Sequence, residues 1–325
     1  MIECGAFDAK AGSTLFLGET EAFPNGFAVL GLGEEKDFSR KVFAECAAKA
    51  ARAFAWAESQ AYAVQEWLPP KTSGKSSARL FSTAVLNALT PRFTLKTEHD
   101  DGIRTKRIFW IDDLVTDKLV QGLDEGVVTA EAMSISRGLA DLPGNVCTPA
   151  YLAEAVQNAA ASMTTVEVEV LDEHQIEELG MGAFLSVAKG STVPPRFIAI
   201  RYRGTNAALP PVAFVGKGIT FDTGGISLKP AANMADMTYD MSGAAVVIGT
   251  VMAAARAKLP VNLLGVVAAC ENLPSGSAAK PGDVVTSLSG KTIEILNTDC
   301  EGRMILADAL TWTARQKPEL IIDAA

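Results

Sequence analysis

The chain after residue 147 alternates apolar, strand-like runs with helical stretches, and this alternation constrains its fold more than any other feature of the sequence. It is typical of a largely parallel sheet with helices on both faces. The predicted strands are 166–171, 197–202, 211–215 and 261–269, and the predicted helices begin at Thr148 and Ser242. Because ligands gather at the carboxyl ends of the strands in such sheets, we expect a functional site at that edge.

Residues 1–127 show a more mixed pattern of strand-like runs around one alanine-rich helical stretch. The runs are 14–17, 27–32 and 107–111, and the helical stretch is 40–63. Residues 129–139 have helical composition and are followed by a strong stop signal at 141–145. We therefore predict an α/β protein with a small N-terminal α/β domain at 1–127, a linker helix and turn at 128–147, and a second domain at 148–325 built on a central, mostly parallel sheet flanked by helices.

Acidic and basic side chains concentrate in the last third of the chain, in segments that flank the predicted strands. They are Asp222, Asp240, Asp299 and Glu301, together with Lys217, Lys229 and Arg303. An unpaired buried charge costs several kcal/mol, so a buried cluster of carboxylates needs cations. The chain has only 2 histidines, which nearly excludes a histidine-based zinc centre. Oxygen ligands, with or without a lysine nitrogen, suit Mn, Mg or a carboxylate-rich pair of Zn ions.

Each of these residues, taken singly, also has an ordinary structural explanation. Lys217 alone is more typical of a solvated lysine at a strand end, and Asp222 alone of a turn residue. Asp240 could cap the helix that follows it, and Thr298 or Asp299 could cap the next one. Arg303, in contrast, suggests that an anion is bound beside the cations.

Two glycine–lysine segments invite a nucleotide-binding interpretation that the sequence does not support. Residues 73–76 end like a phosphate-binding loop, but Pro69 stands where that motif needs its first glycine, so we predict a solvated loop there. Residues 216–218 follow a good strand, but Phe221 stands where the third glycine of a dinucleotide motif belongs. Nucleotide binding is therefore a poor explanation of either segment.

Three segments taken together resemble the signature of the leucyl aminopeptidase family of two-metal cytosolic peptidases. Residues 216–225 resemble its first metal-binding segment, 240–245 its second, and 297–303 its most diagnostic heptapeptide. The resemblance extends over the second domain and its preceding helix. It implies two divalent ions per subunit, Mn or Zn, bound by Lys217, Asp222, Asp240, Asp299 and Glu301, with Asp222 and Glu301 bridging the two ions.

The resemblance also implies roles for three further residues. Lys229 and Arg303 occupy positions to which catalytic roles are assigned, and Arg303 would hold a bicarbonate ion that serves as general base. Met237 falls at a position that lines the pocket for the N-terminal side chain of the substrate. Core packing is an equally good explanation of Met237, because methionine fills irregular gaps anywhere.

Composition excludes several classes of function and favours a location. The net charge of -9 argues against a chain-wide attraction to nucleic acid or anionic membrane. The 5 cysteines are scattered without CxxC spacing, which indicates reduced thiols in a cytoplasmic protein. The sequence shows neither a secretory signal nor an uninterrupted apolar run long enough to cross a membrane.

The function implied by the resemblance is that of a cytoplasmic, hexameric metallo-aminopeptidase that hydrolyses peptides and prefers N-terminal leucine or other hydrophobic residues. A DNA-binding regulatory member of the same family is a secondary alternative. The chain stops at residues 323–325, inside what resembles a central strand. We therefore also weigh an inactive fragment of a longer gene product, which would expose apolar surface and aggregate when expressed alone.

Overall fold

The computed structural model describes residues 10–17, 27–63, 73–91, 95, 97 and 102–325. The chain divides into two compact units, Met1–Ser134 and Ile135–Ala325. The division lies within one long helix, Asp117–Ala140, of which the sequence predicted only the second half. The domain limits at 127 and 147 therefore stay predictions.

The described part of the first unit contains two small sheets, two helices that pack on each other, and the first part of the long helix Asp117–Ala140. Strands β1 (Thr14–Leu17) and β2 (Phe27–Leu30) pair antiparallel, and β3 (Ser59–Ala63) and β4 (Arg107–Ile111) pair parallel. A 3-10 turn, Glu35–Asp37, precedes helix α1 (Arg40–Ala53), and α2 is Gly74–Leu89. The buried side chains of Phe43, Phe81 and Val85 form the centre of this unit's core.

Two sequence predictions in this unit are wrong. The stretch 40–63 is not one helix, because α1 ends at Ala53 and its last residues form β3. Residues 74–76 are not a solvated loop but the first turn of α2, since the Ser73 hydroxyl accepts a hydrogen bond from the Ser76 amide at 3.3 Å and so caps the helix. The alanine-rich composition of 40–63 gave no sign that α1 ends at Ala53, and the glycine–lysine pair at 74–75 looked like a loop although α2 begins there.

The second unit is a five-stranded sheet between two layers of helices. After α3 (Asp117–Ala140), its elements in chain order are α4 (Pro149–Ala160), β5 (Val166–Leu171), α5 (Glu173–Glu178), α6 (Gly182–Ala188), β6 (Arg196–Arg203), β7 (Val212–Asp222), a 3-10 helix Met234–Met241, α7 (Ser242–Arg256), β8 (Asn262–Asn272), the hairpin β9 (Val284–Thr286) and β10 (Thr292–Glu294), a 3-10 turn Thr298–Cys300, α8 (Glu301–Arg315) and β11 (Leu320–Ala324). The predicted α/β architecture with a central sheet and flanking helices is confirmed.

The strand order of the sheet is β11-β7-β8-β6-β5. Strands β11, β7 and β8 are parallel, whereas β6 and β5 run antiparallel to their neighbours, so the sheet is mixed rather than mostly parallel. Strand β8 is buried along its whole length, as expected for a central strand covered on both faces. Its side chains alternate between the core under α4 and α7 and the core under α6 and α8.

One continuous helical stretch, Met234–Arg256, is long and apolar enough to cross a membrane by length and composition alone. It is weak evidence for a membrane span, because 56% of its most apolar window is buried inside the protein. Val247, Ile248 and Val251 of this stretch pack in the sheet core, which accounts for its apolar composition.

The buried carboxylate of Asp308 links α8 to α6 and to the segment that follows β9. Asp308 is fully buried, and it accepts hydrogen bonds from the Phe184 amide at 2.9 Å and the Leu288 amide at 2.7 Å. Burial raises the pKa of Asp308, although the backbone donors oppose that shift. Asp308→Ala leaves two buried amides without acceptors, so we expect a loss of about 3 kcal/mol in the free energy of unfolding, measured by urea denaturation.

Thr311→Ala is the matched control for Asp308→Ala. Thr311 lies on the same helix, and within the described residues its hydroxyl donates only to the Ala307 carbonyl one turn earlier, at 2.7 Å. We expect this variant to change the free energy of unfolding by less than about 1 kcal/mol. Equal losses in the two variants would contradict a linking role for Asp308.

Candidate metal centre

The carboxyl end of β7 and the loop after it deliver the first group of site residues. The buried Asp222 is the last residue of β7, and its Oδ1 accepts a hydrogen bond from the Gly224 amide at 2.8 Å. Gly224 has a φ of +87, and a β-carbon there would lie 2.5 Å from the Ser227 carbonyl oxygen and 3.0 Å from Asp299 Oδ1. Only glycine fits this turn, which folds the loop back over the strand end.

Lys229 lies between two of the predicted ligands. Its Nζ is 2.9 Å from Asp222 Oδ2, and it also forms an ion pair with Asp299 Oδ1. The Lys229 amide donates to the Thr223 carbonyl at 2.9 Å, which holds the loop against the strand end. Burial alone would lower the pKa of Lys229, but its hydrogen bonds to Asp299 and Asp222 outweigh burial and raise it, so this lysine is a fixed positive charge.

Lys217 makes a second pair of ionic contacts. Its Nζ is 2.7 Å from Asp240 Oδ1 and 2.7 Å from Glu301 Oε1. Asp240 comes from the 3-10 helix before α7, and Glu301 is the first residue of α8. Gly302 allows Lys217 to reach Glu301, because a β-carbon at Gly302 would lie 2.8 Å from Lys217 Cε.

Three of the carboxylates are close enough to share metal ions. Asp222, Asp299 and Glu301 each offer an oxygen within 4.8 Å of the others. Among the described residues, Asp240 Oδ2 and Glu301 Oε2 are buried oxygens without a hydrogen-bond donor. Buried carboxylate oxygens without donors are costly, and divalent cations are the partners that would satisfy them. The residues present therefore fit a carboxylate-bound metal centre.

The electrostatics of the cluster favour further positive charge. Burial raises the pKa of Asp240 to about 6, and the Lys217 ammonium opposes this shift while Glu301 and Asp222 add to it. Burial alone would lower the pKa of Lys217, but its hydrogen bonds to Asp240 and Glu301 raise it. Four carboxylates thus face two ammonium groups, and the excess of negative charge is what an added cation would balance.

Arg303 and Met237 are not among the residues that contact Lys217 or Lys229 in these ion pairs. Arg303 is exposed in the first turn of α8, and it makes no hydrogen bond or ion pair with other described residues. Met237 is half-buried in the 3-10 helix Met234–Met241. The roles predicted for these two residues stay predictions.

Two buried residues support the cluster, of which sequence reasoning missed Asn272 and considered Thr298 only as a helix cap. Asn272, the last residue of β8, donates from Nδ2 to Asp222 Oδ1 at 2.8 Å and to the Thr298 carbonyl at 3.0 Å. Thr298 donates its hydroxyl to the Gly224 carbonyl at 2.6 Å and accepts from the Ser227 amide at 2.8 Å. A polar residue at the end of a buried strand next to β7 was the signal that could have identified Asn272.

Two cavities lie next to these residues. A cavity of about 20 Å³ is lined by Asn272, Thr298, Glu301 and Met304 among others, and it has room for about one water molecule. A larger cavity of about 730 Å³ is lined by Phe221 and Glu271, which directly precede Asp222 and Asn272 in the chain, and by Asp141 and Tyr239 among others. Both cavities border strand ends, as expected for ligand sites in sheets of this kind.

Comparison with known proteins identifies similar chains. Residues 134–325 match the catalytic domain of the cytosol aminopeptidase family. A probable cytosol aminopeptidase of Paraburkholderia phymatum is 44% identical over 330 residues, which cover 100% of this chain and 65% of that protein. This chain thus spans about 65% of the length of that curated relative.

Solved structures with the same fold belong to related enzymes. The bottromycin maturation enzyme BotP in complex with Mn superposes with a TM-score of 0.88 at 28% identity, covering 100% of this chain and 68% of BotP. A mutant of tomato leucine aminopeptidase superposes with a TM-score of 0.84 at 30% identity, covering 98% of this chain and 62% of the tomato enzyme.

Proposed function

Because the chain belongs to the cytosol aminopeptidase family, we propose that it is a metal-dependent aminopeptidase that removes N-terminal residues, preferably leucine and other hydrophobic residues, from peptides. The observation that carries this proposal is the carboxylate cluster around Asp222, Asp299 and Glu301, with buried oxygens of Glu301 and Asp240 that lack donors. Such oxygens, in one cluster with Asp222 at the carboxyl end of β7, suit divalent ions that act on a bound substrate.

The proposed ligands are the residues that form the ion pairs around the two lysines. Lys217, Asp222, Asp240, Asp299 and Glu301 would hold two divalent ions, Mn or Zn, with Asp222 and Glu301 touching both. Lys217 is an ammonium in the metal-free cluster and would have to bind as a neutral amine, a form that two cations beside it would favour. When bound, such ions polarise a carbonyl and lower the pKa of a water molecule. The Mn bound to BotP, a structural relative, supports Mn as one of the two candidates.

Lys229 is the residue to which we assign stabilisation of charge at the scissile bond. Its ammonium is held by Asp222 and Asp299 at the edge of the carboxylate cluster. There it would donate to the carbonyl oxygen of the scissile peptide as negative charge develops on that oxygen, an interaction that usually dominates catalysis. Asp222 and Asp299 would keep the lysine charged and in place.

Arg303 is the residue to which we assign the binding of a bicarbonate general base. It is exposed in the first turn of α8, where the helix N-terminus also favours an anion. His174, the histidine among the described residues, lies on α5 with its Nδ1 3.6 Å from Glu178 Oε1, and neither residue belongs to the carboxylate cluster. Bound bicarbonate would accept the proton that water releases during attack on the peptide carbonyl.

Metal dependence is the direct test of the proposed function. We expect that treating the full-length protein with a chelator abolishes hydrolysis of leucine p-nitroanilide, and that Mn²⁺ or Zn²⁺ restores it, because the ions supply the activation of water. The control substrate is N-acetyl-leucine p-nitroanilide, which lacks the free amine of an exopeptidase substrate and should not be cleaved. Full activity in a protein shown by elemental analysis to hold no metal would contradict the proposal.

Location and assembly belong to the same proposal. The names of the curated relatives suggest a cytoplasmic protein, and the family resemblance implies a hexamer. Sedimentation analysis of the full-length protein tests the assembly, since a hexamer and a monomer differ sixfold in mass.

A further inference from the structure

We propose that Asn272 is a positioning residue that fixes the orientation of the Asp222 carboxylate for metal binding. This inference rests on the proposed metal centre, of which Asn272 is not a ligand. The side chain of Asn272 is 4% exposed, and its Nδ2 is 2.8 Å from Asp222 Oδ1. Residues that hydrogen-bond to a metal ligand orient it and tune its affinity for the metal.

The two oxygens of Asp222 have different partners. Oδ1 accepts from two uncharged donors, Asn272 Nδ2 and the Gly224 amide, both at 2.8 Å. Oδ2 faces Lys229 Nζ at 2.9 Å, on the side of the carboxylate cluster. With Oδ1 held at two points, the carboxylate cannot rotate, and Oδ2 stays directed at the cluster.

The pairing of β7 with β8 is adjusted so that Asn272 lies next to Asp222. Ile219 pairs with Cys270, but Phe221 pairs with Glu271 and Asp222 with Asn272, so the register shifts by one residue at Thr220. Without this bulge the residue opposite Asp222 would be Leu273, which has no donor to offer in its side chain. Bulges of this kind re-aim side chains at functional sites.

Asn272 also joins the two loops that carry the acidic residues. Its Nδ2 donates to the Thr298 carbonyl at 3.0 Å, directly before Asp299. The backbone carbonyl of Asn272 accepts from the amide of Thr223 at 2.9 Å and from the Thr223 hydroxyl at 2.8 Å, and Thr223 directly follows Asp222. One residue thereby sets the position of Asp222 relative to Asp299.

Mn²⁺ affinity of the metal-free, full-length protein is the measurement that tests this role. We expect Asn272→Leu, which removes both side-chain donors, to weaken Mn²⁺ binding about 10-fold to 100-fold, as measured by calorimetry or from the electron paramagnetic resonance of free Mn²⁺. Asn272→Ala also removes the side-chain donors, without the bulk of leucine, so it should weaken binding by a similar factor. It also provides the measurement if the leucine variant does not fold.

Asn262→Leu is the matched control. Asn262 lies at the other end of β8, is also buried, and its Nδ2 likewise donates to two carbonyls, those of Asn206 at 2.8 Å and Leu209 at 3.0 Å. This variant should bind Mn²⁺ like the wild type, because Asn262 does not contact the cluster. Its unfolding midpoint reports the structural cost of losing two such bonds.

The outcomes separate this inference from the proposed function. Wild-type Mn²⁺ affinity in a folded Asn272→Leu or Asn272→Ala protein overturns the positioning role and leaves the metal centre standing. Equal weakening in Asn262→Leu overturns it too, because the loss would then come from damage to β8. A wild-type protein that binds no Mn²⁺, Zn²⁺ or other divalent ion overturns the proposed function, and the inference with it.

Discussion

Replacing Glu301 with alanine is expected to empty both metal positions and to lower kcat/KM by more than the roughly 10- to 100-fold typical of losing a residue that only supports a ligand. Glu301 is 3% exposed, contributes one oxygen to the carboxylate cluster, and pairs through Oε1 with Lys217. Its Oε2 is a buried oxygen without a donor, so no interaction with the described residues competes for it. Metal content of the purified protein, measured by elemental analysis, checks the expectation.

Two further variants, Glu301→Gln and Asp240→Ala, show whether the loss of metal comes from the loss of charge and whether it affects both positions. Glu301→Gln keeps the volume and removes the charge, so it should also lose metal if charge is what binds the ions. Asp240→Ala should empty mainly one position, because Asp240 is not one of the three residues that share the 4.8 Å cluster. Two ions retained per subunit in Glu301→Ala would remove the bridging assignment.

Lys229→Ala is expected to retain both metal ions and to lower kcat by about 10² to 10³, the range for losing one donor to the developing charge. The lysine contacts Asp222 and Asp299, and in the loaded protein these carboxylates would keep the ions as partners. Steady-state kinetics on leucine p-nitroanilide, together with elemental analysis of the same sample, separates the loss of catalysis from the loss of metal. Arg303→Ala should likewise lower kcat without changing metal content.

Lys280→Ala serves as the matched control for Lys229→Ala. Lys280 also forms an ion pair with an aspartate, Asp283, but its side chain is 66% exposed and lies outside the cluster. Neither its kcat nor its metal content should change, because exposed ion pairs contribute little. If Lys229→Ala itself lost metal, Lys229 would belong to the ligand set or to its support instead.

The sequence placed most cluster residues near strand and helix ends. The apolar run 211–215 predicted a strand, but β7 continues to Asp222, so Lys217 lies inside the strand and Asp222 is its last residue instead of a turn residue. Asp240 precedes a helix that begins at Ser242, as expected. These positions follow from local patterns of apolar residues, which a single segment contains in full. The range that matches the family, residues 134–325, includes all of these segments.

What the sequence left undetermined depends on contacts between segments. The direction of β5 and β6 was not predictable, because their apolar runs look the same in parallel and antiparallel pairs. Strand β8 was predicted to end at residue 269, so Asn272 was overlooked, and its position opposite Asp222 depends on a register shift that only the paired strands reveal. The division of the four carboxylates between Lys217 and Lys229 is likewise a result of packing.

The distribution of the cluster along the chain has a consequence for how the protein is made. Asp222 ends β7 and Asp240 precedes α7, but Asp299 and Glu301 arrive only with α8, after β8 has been completed. During synthesis from the N-terminus, a nascent chain that has emerged only as far as β8 carries two of the four carboxylates, Asp222 and Asp240. In the proposed metal centre the full ligand set is therefore complete only once α8 has left the ribosome, so binding through that set would come after the synthesis of β8.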